Sequence, residues 1–290
     1  MTESPSFVLL LSCKNVPGIV SKVSTYLFEL GFNIRASHQF DDEDSGHFFM
    51  RVEFRYHDQS SGREPTLSAL KEGFTGIARR FDMEWKMEDT SHRARVLIMV
   101  SKFGHCLNDL LFRTRTGALR IEIPAIVSNH RDFEGLADNY GIPFHHIPVT
   151  AGTKASAERQ LLEIISDERI ELTVLARYMQ VLSPELCRDL EGRAVNIHHS
   201  MLPSFKGAKP YHQAFDRGVK MVGATAHYVT SNLDEGPIIE QDIARVDHTL
   251  DTADITAAGR DLECRALARA VRWDTENRIL LNGHRTVVFR

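Results

Sequence analysis

The run Asn196-Ile-His-His-Ser-Met-Leu-Pro-Ser-Phe-Lys-Gly207 joins the end of an apolar strand to a loop rich in turn-formers. Asn196 and His198 stand two apart, so on a strand both project to the same side. A second run, Gly223 to Gln241, reads as strand, turn, strand and puts Asp234 just before Gly236-Pro237. A lone aspartate there is most simply a turn former, and a lone histidine a structural residue. Together, an amide, an imidazole and a carboxylate are groups that hold a polarised oxygen and move a proton at a reacting centre.

The elements around these runs follow an α/β rhythm. Val96 to Val100, Ile123 to Val127, Phe144 to Ile147, Leu172 to Leu175 and Val195 to Ile197 read as short apolar strands. Leu107 to Phe112, Phe133 to Tyr140 and Ala157 to Asp167 read as helices between them. Strands alternating with helices imply a doubly wound, mostly parallel sheet. Such sheets bind ligands in the crevice beyond the carboxyl ends of their strands. Residues 200–210 hold too many turn-formers for regular structure and are expected to be a loop shaping that crevice.

Residues 1–88 have a different pattern. Phe7 to Cys13 reads as a buried strand, and Ile19, Val20, Val23, Leu27 and Leu30 follow at helical spacing, with Asn15 placed to cap that helix and Gly31 to end it. Asn33 to Asp41 is a second extended run. In the next strand Met50, Val52, Phe54 and Tyr56 alternate with Phe49, Arg51, Glu53 and Arg55, which predicts one wet face. A helix through Leu67, Leu70, Phe74, Ile77 and Phe81 and a strand from Met83 to Met87 complete a βαββαβ, ferredoxin-like unit. Residues 89–93 read as a linker, and 94–290 as the second domain.

The 290 residues carry a formal charge of -4, which offers no bulk attraction to nucleic acid or anionic membranes. No apolar run is long enough to span a bilayer. The first residues lack a cationic segment ahead of an apolar one, so no signal peptide is read. The four cysteines are scattered without metal-type spacing, which predicts reduced thiols in a cytoplasmic protein and no metal site.

Asn196-Ile-His198, Ser200-Met-Leu-Pro203 and Leu233-Asp-Glu-Gly-Pro237 resemble the active-site signature of the 10-formyltetrahydrofolate-dependent formyltransferases, over about residues 94–245. The resemblance implies that Asn196 and a protonated His198 hold the formyl oxygen as it gains charge, with Asp234 as the proton acceptor. It implies that Arg177, Tyr178 and Met179 wall the pteridine ring, with His199 and Gly236 also on the substrate. Folate is then the substrate carrier, and no separate cofactor is expected.

Three features favour water over an amine as the acceptor. The segment Ser101-Lys-Phe-Gly-His-Cys-Leu-Asn108 carries Lys102 and Phe103 where a phosphate cradle needs small residues. Asn196-Ile-His-His-Ser200 has His199 where the transferases usually have proline. The first 88 residues resemble an ACT domain, with Cys13-Lys-Asn-Val-Pro-Gly-Ile-Val20 as its first turn. ACT domain plus formyltransferase domain is the arrangement of the formyltetrahydrofolate deformylases. The resemblance implies hydrolysis of 10-formyltetrahydrofolate to formate and tetrahydrofolate, with formate serving purine synthesis. It also implies a homo-oligomer and a small amino-acid effector at Asn15, Gly18 and Ile19. The alternatives are an amine formyltransferase and an idle folate or amino-acid sensor. Lys206, Lys209, Arg115 and Arg120 read as solvated, as do the basic residues at 260, 265, 269 and 272 on the last helix.

Overall fold

The computed structural model describes residues 6–57, 65–203 and 210–290. It divides into one unit of Met1–His92 with Glu276–Asn282 and Thr286–Arg290, and a second of Arg93–Thr275 with Gly283–Arg285.

The first unit runs β1 (Ser6–Lys14), α1 (Ile19–Glu29), β2 (Phe32–Asp42), β3 (His47–Tyr56), α2 (Leu67–Arg80) and β4 (Glu84–Asp89). Its sheet has the order β2-β3-β1-β4, and every neighbouring pair is antiparallel. The continuous apolar run of β1 follows from its central place. Phe7, Leu9 and Leu11 enter the core under the helices, while Val8 and Leu10 are buried on the other face. Ile19, Val23 and Leu27 form the buried stripe of α1, and Leu70, Phe74 and Ala78 that of α2.

Three expectations for this unit need correction. Asn15 does not cap α1: the helix starts at Ile19, and Gly18 occupies the cap with φ 97°, a conformation open to glycine. The supposed wet face of β3 is covered, with Phe49 and Arg51 at 1% and 3% exposure. The C-terminal segment lies on it: Arg51 Nε donates to the Asn277 carbonyl at 2.9 Å and Nη2 to that of Glu276 at 3.3 Å. Asp89, expected in the linker, pairs with Phe7 as the last residue of β4.

The second unit runs β5 (Ala94–Val100), α3 (His105–Arg115), β6 (Ile121–Glu122), β7 (Ile126–Ser128), α4 (Glu134–Tyr140), β8 (Phe144–His146), α5 (Lys154–Asp167), β9 (Leu172–Leu175), α6 (Pro184–Asp189), β10 (Ala194–His198), α7 (Pro210–Asp216), β11 (Met221–Tyr228), β12 (Ile238–Arg245) and α8 (Thr252–Thr275). The sheet order is β12-β11-β10-β9-β5-β7-β8, with β6 beside β5. Strands β5 to β10 pair in parallel, and β11 and β12 run antiparallel at one edge. From β5 the chain winds out through β7 to β8 and then returns to the other side at β9. That reversal opens a crevice beyond the ends of β5 and β9. Where one strand was expected over 123–127 there are two short ones, because Pro124 lacks the N–H that a continuous ladder needs. Helix α8 packs on β10, β11 and β12. A final hairpin, β13 (Ile279–Asn282) and β14 (Arg285–Val288), closes the chain; most of these residues, expected in the second domain, cluster with the first unit.

Candidate active site

Strand β10 lies between parallel β9 and antiparallel β11, and its carboxyl end presents Asn196 and His198 to the crevice. Asn196 faces His227 across the β10–β11 ladder, and His198 faces Thr225. The turn between β11 and β12 then brings Asp234 back over β10. Asp234 takes φ 57° there, which aspartate tolerates better than most residues. Gly236 sits so close to β11 that an added Cβ would overlap the Tyr228 carbonyl oxygen. Its place in the site is therefore to let the turn close.

The resulting geometry is a four-residue cluster. Asp234 Oδ2 lies 3.3 Å from His198 Nδ1, and its Oδ1 lies 3.7 Å from His227 Nε2. His227 Nε2 is in turn 3.2 Å from Asn196 Nδ2. His227 Nδ1 sits 2.8 Å from the Tyr228 carbonyl, which only accepts, so Nδ1 carries a proton. In neutral His227 the Nε2 lone pair then accepts from the Asn196 amide. That contact orients the amide and leaves its second N–H for a ligand. Burial pushes the Asp234 carboxyl up, but the hydrogen bond from His198 and the nearby His227 ring outweigh it and hold it well below the usual carboxylate range. His198 gives Nδ1 to this carboxylate, while its Nε2 is buried without a hydrogen-bond partner. An unpartnered buried ring nitrogen beside an ionised aspartate is a group kept for a ligand.

A cleft of about 310 Å³ opens at this cluster. Asn196, His198, His199 and Asp234 line one end, and Tyr178, Met179 and Leu182 the apolar wall opposite. The Tyr178 phenol is pushed up to about 12 by burial and then by Glu158, so it serves as a neutral donor. Met179 is half exposed, and its N–H donates to Ser101 Oγ at 2.9 Å, which ties this wall to the end of β5.

Arg177 departs from its expected place. At φ 64° its side chain turns away from the cleft wall to stack at 5.3 Å on Phe103, with Nη1 3.2 Å from Glu263 Oε2. Glu263, 1% exposed on α8, also bonds His105 Nε2 at 2.7 Å and the Tyr211 hydroxyl at 2.7 Å. Gly259 lets Tyr211 reach it, because an added Cβ would overlap the Tyr211 ring. This network abuts His199, which stacks on His198 with ring centroids 5.1 Å apart. Burial, then the positive charges of Arg177 and His198, pull His199 down to about 4, against Glu263 and Asp234. It is neutral near pH 7.

Among the described residues, His105, Cys106 and Glu263 place one ligand atom each within 4.8 Å of one another. Both Glu263 oxygens already accept hydrogen bonds and the Arg177 charge stands beside them, so the group reads as an ion network. Lys206 and Lys209 lie outside the described residues. In the first unit, Asn15 and Gly18 are exposed, but Ile19 is 2% exposed and part of the core. The structure thus joins Asn196, His198, His199, Asp234, Tyr178 and Met179 in one cleft, turns Arg177 behind it, and leaves Asn15, Gly18 and Ile19 in the other unit. His227 and Glu263 were not singled out in the sequence. The pairing of β11 with β10 gives His227 its place, and no local motif marks it.

A doubly wound sheet with this asparagine, histidine and aspartate at its crevice defines a formyl transferase domain, and that family matches residues 94–271; the ACT domain family matches residues 7–72. The chain is 52% identical to a formyltetrahydrofolate deformylase of Corynebacterium sp. (strain P-1) over the whole of both chains. It is 45% identical to that of Bacillus subtilis (strain 168), over 97% of this chain and 93% of the relative. The crystal structure of formyltetrahydrofolate deformylase from Burkholderia mallei superposes with a TM-score of 0.93 at 52% identity, covering 99% of this chain and all of that one. The chain belongs to the formyltetrahydrofolate deformylase family. Among the described residues no helix is long and apolar enough to cross a membrane.

Proposed function

We propose that the chain hydrolyses 10-formyltetrahydrofolate to formate and tetrahydrofolate in the cleft between β10 and the 178–182 segment. The observation that carries the reading is the buried, unpartnered His198 Nε2 beside the ionised Asp234, at the end of an apolar cleft. The flat folate ring system packs along Tyr178, Met179 and Leu182 and brings its formyl group to Asn196 and His198. As water adds to the formyl carbon, charge grows on the formyl oxygen. The second Asn196 N–H and a protonated His198 Nε2 donate to it, held in place before the charge develops. Asp234 orients the attacking water and accepts its proton transiently, since its basicity is depressed. The proton then passes to the leaving nitrogen as the carbon–nitrogen bond breaks, and formate departs.

Full-length identity with deformylases, ACT domain included, supports water as the acceptor. So does the segment after β5, where Phe103 and Arg177 stack in place of an open cradle. We further propose that the protein is cytoplasmic, that the released formate feeds purine synthesis, and that the first domain pairs copies of the chain and takes a small amino acid near Asn15 and Gly18.

The test is formate release from 10-formyltetrahydrofolate without an added acceptor. Turnover by the wild type that collapses in Asp234→Asn supports the reading. Folded wild type that releases no formate, or that yields formylated product only when an amine is added, overturns it.

A further inference from the structure

The basic positions on α8 are exposed, as expected, and three of them also line a cavity. Arg265, Arg269 and Arg272 meet Arg113, from the last turn of α3, around a cavity of about 310 Å³ floored by Leu119 and Ala268. Carboxylates steer three of the arginines. Arg113 Nε donates to Asp109 Oδ2 at 2.7 Å, and Arg265 Nε to Asp242 Oδ2 at 2.9 Å. Arg269 Nη1 lies 3.5 Å from Asp242 Oδ2 and 3.7 Å from Glu240 Oε2. The carboxylates beside these arginines offset much of their charge, so bulk attraction is not what the cavity offers. What it offers is direction. The carboxylates take the Nε of Arg113 and Arg265 and fix both stems, while the terminal amino groups remain for another acceptor. A guanidinium held this way presents a planar fork that matches the oxygens of phosphate or carboxylate.

We propose that the cavity between α3 and α8 binds a compact polyvalent anion, with two or more adjacent phosphate or carboxylate groups, through Arg113, Arg265, Arg269 and Arg272. The apolar floor of Leu119 and Ala268 excludes water from one side and strengthens each hydrogen bond made above it.

Isothermal titration of the full chain with inorganic pyrophosphate, and separately with citrate, tests this at an ionic strength matched with sodium chloride. The two arms distinguish a phosphate from a carboxylate ligand. The expected result is saturable binding of at least one of them, one per chain. It weakens at least about tenfold in Arg265→Gln/Arg269→Gln, whose melting curve confirms the fold, and is unchanged in Arg188→Gln, an exposed arginine elsewhere. No saturable heat with either anion, equal affinity in the double variant, or equal loss in Arg188→Gln overturns the proposal.

Discussion

Asn196 Nδ2 and His227 Nε2 meet at 3.2 Å across the β10–β11 ladder, and the Tyr228 carbonyl on the far side of the imidazole decides which of them donates. The amide therefore points by construction. His227→Ala frees it, and we expect kcat to fall about tenfold to a hundredfold with little change in KM. In a double-mutant cycle with Asn196→Ala, coupling of about 1 kcal/mol or more is expected, because both act on one network. Strict additivity of the two losses would break the link.

Asp234→Asn keeps the shape of the turn but removes the charge between His198 and His227. The expected loss in kcat for formate release is about a thousandfold, within the range of a positioned proton acceptor. The carboxylate is depressed in the fold, so its stabilising effect is present above the usual aspartate value, 3.8, and is lost as pH falls below it. Urea denaturation of wild type and variant between pH 7 and 3 should show the gap between them narrowing toward acid.

His199 titrates at about 4 in the fold against 6.5 for an ordinary histidine. Between these values the unfolded chain takes up a proton that the folded chain refuses. Stability therefore falls as pH drops from 6.5 toward 4 and the effect levels off below. A shift of that size corresponds to about 3 kcal/mol. His199→Gln should abolish this part of the pH dependence, and equal slopes for the two proteins over that window would exclude it.

Gly236→Ala forces a methyl group onto the Tyr228 carbonyl oxygen. Destabilisation by about 3 kcal/mol is expected in thermal melts, together with lost turnover, since the same turn carries Asp234. A variant as stable and active as wild type would show that the turn has room to move.

Glu263→Leu leaves the Arg177 charge buried without its partner and removes the acceptor for His105 and Tyr211. Breaking such a pair costs about 3–5 kcal/mol. The denaturation midpoint measures it, and a loss below about 1 kcal/mol would mean that water replaces the carboxylate.

The local code of the chain carries much of this protein. The apolar run of β1, the 3.6-residue spacing of α1 and α2 and the strand–helix rhythm after residue 93 are set by neighbours within one element, and such patterns persist in the fold. The same holds for Asn196 and His198, two apart on one strand, and for Asp234 in a turn that needs its conformation. Elements of few residues were harder to read. Ser183 caps α6 and Pro184 opens it, a start signal present in the sequence, yet a six-residue helix has too few turns to show a period.

Other features arise only when distant segments meet. His227 becomes part of the site because β11 pairs with β10 in one register, and a slip of one residue would turn it to the other face. Arg177 turns from the cleft because Glu263, 86 positions along the chain, offers a buried charge with His105 and Tyr211 already in place. The alternation of β3 reads as one wet face, but Phe49 is buried there and the chain's own C-terminal segment covers Arg51. Periodicity records which side chains share a face; what lies against that face is settled by long-range packing. The sequence alone thus determined the two-domain class and the three polar groups at the strand end and turn. Tertiary structure decided how those groups are oriented and charged, because hydrogen-bond direction and burial are properties of the assembled neighbours.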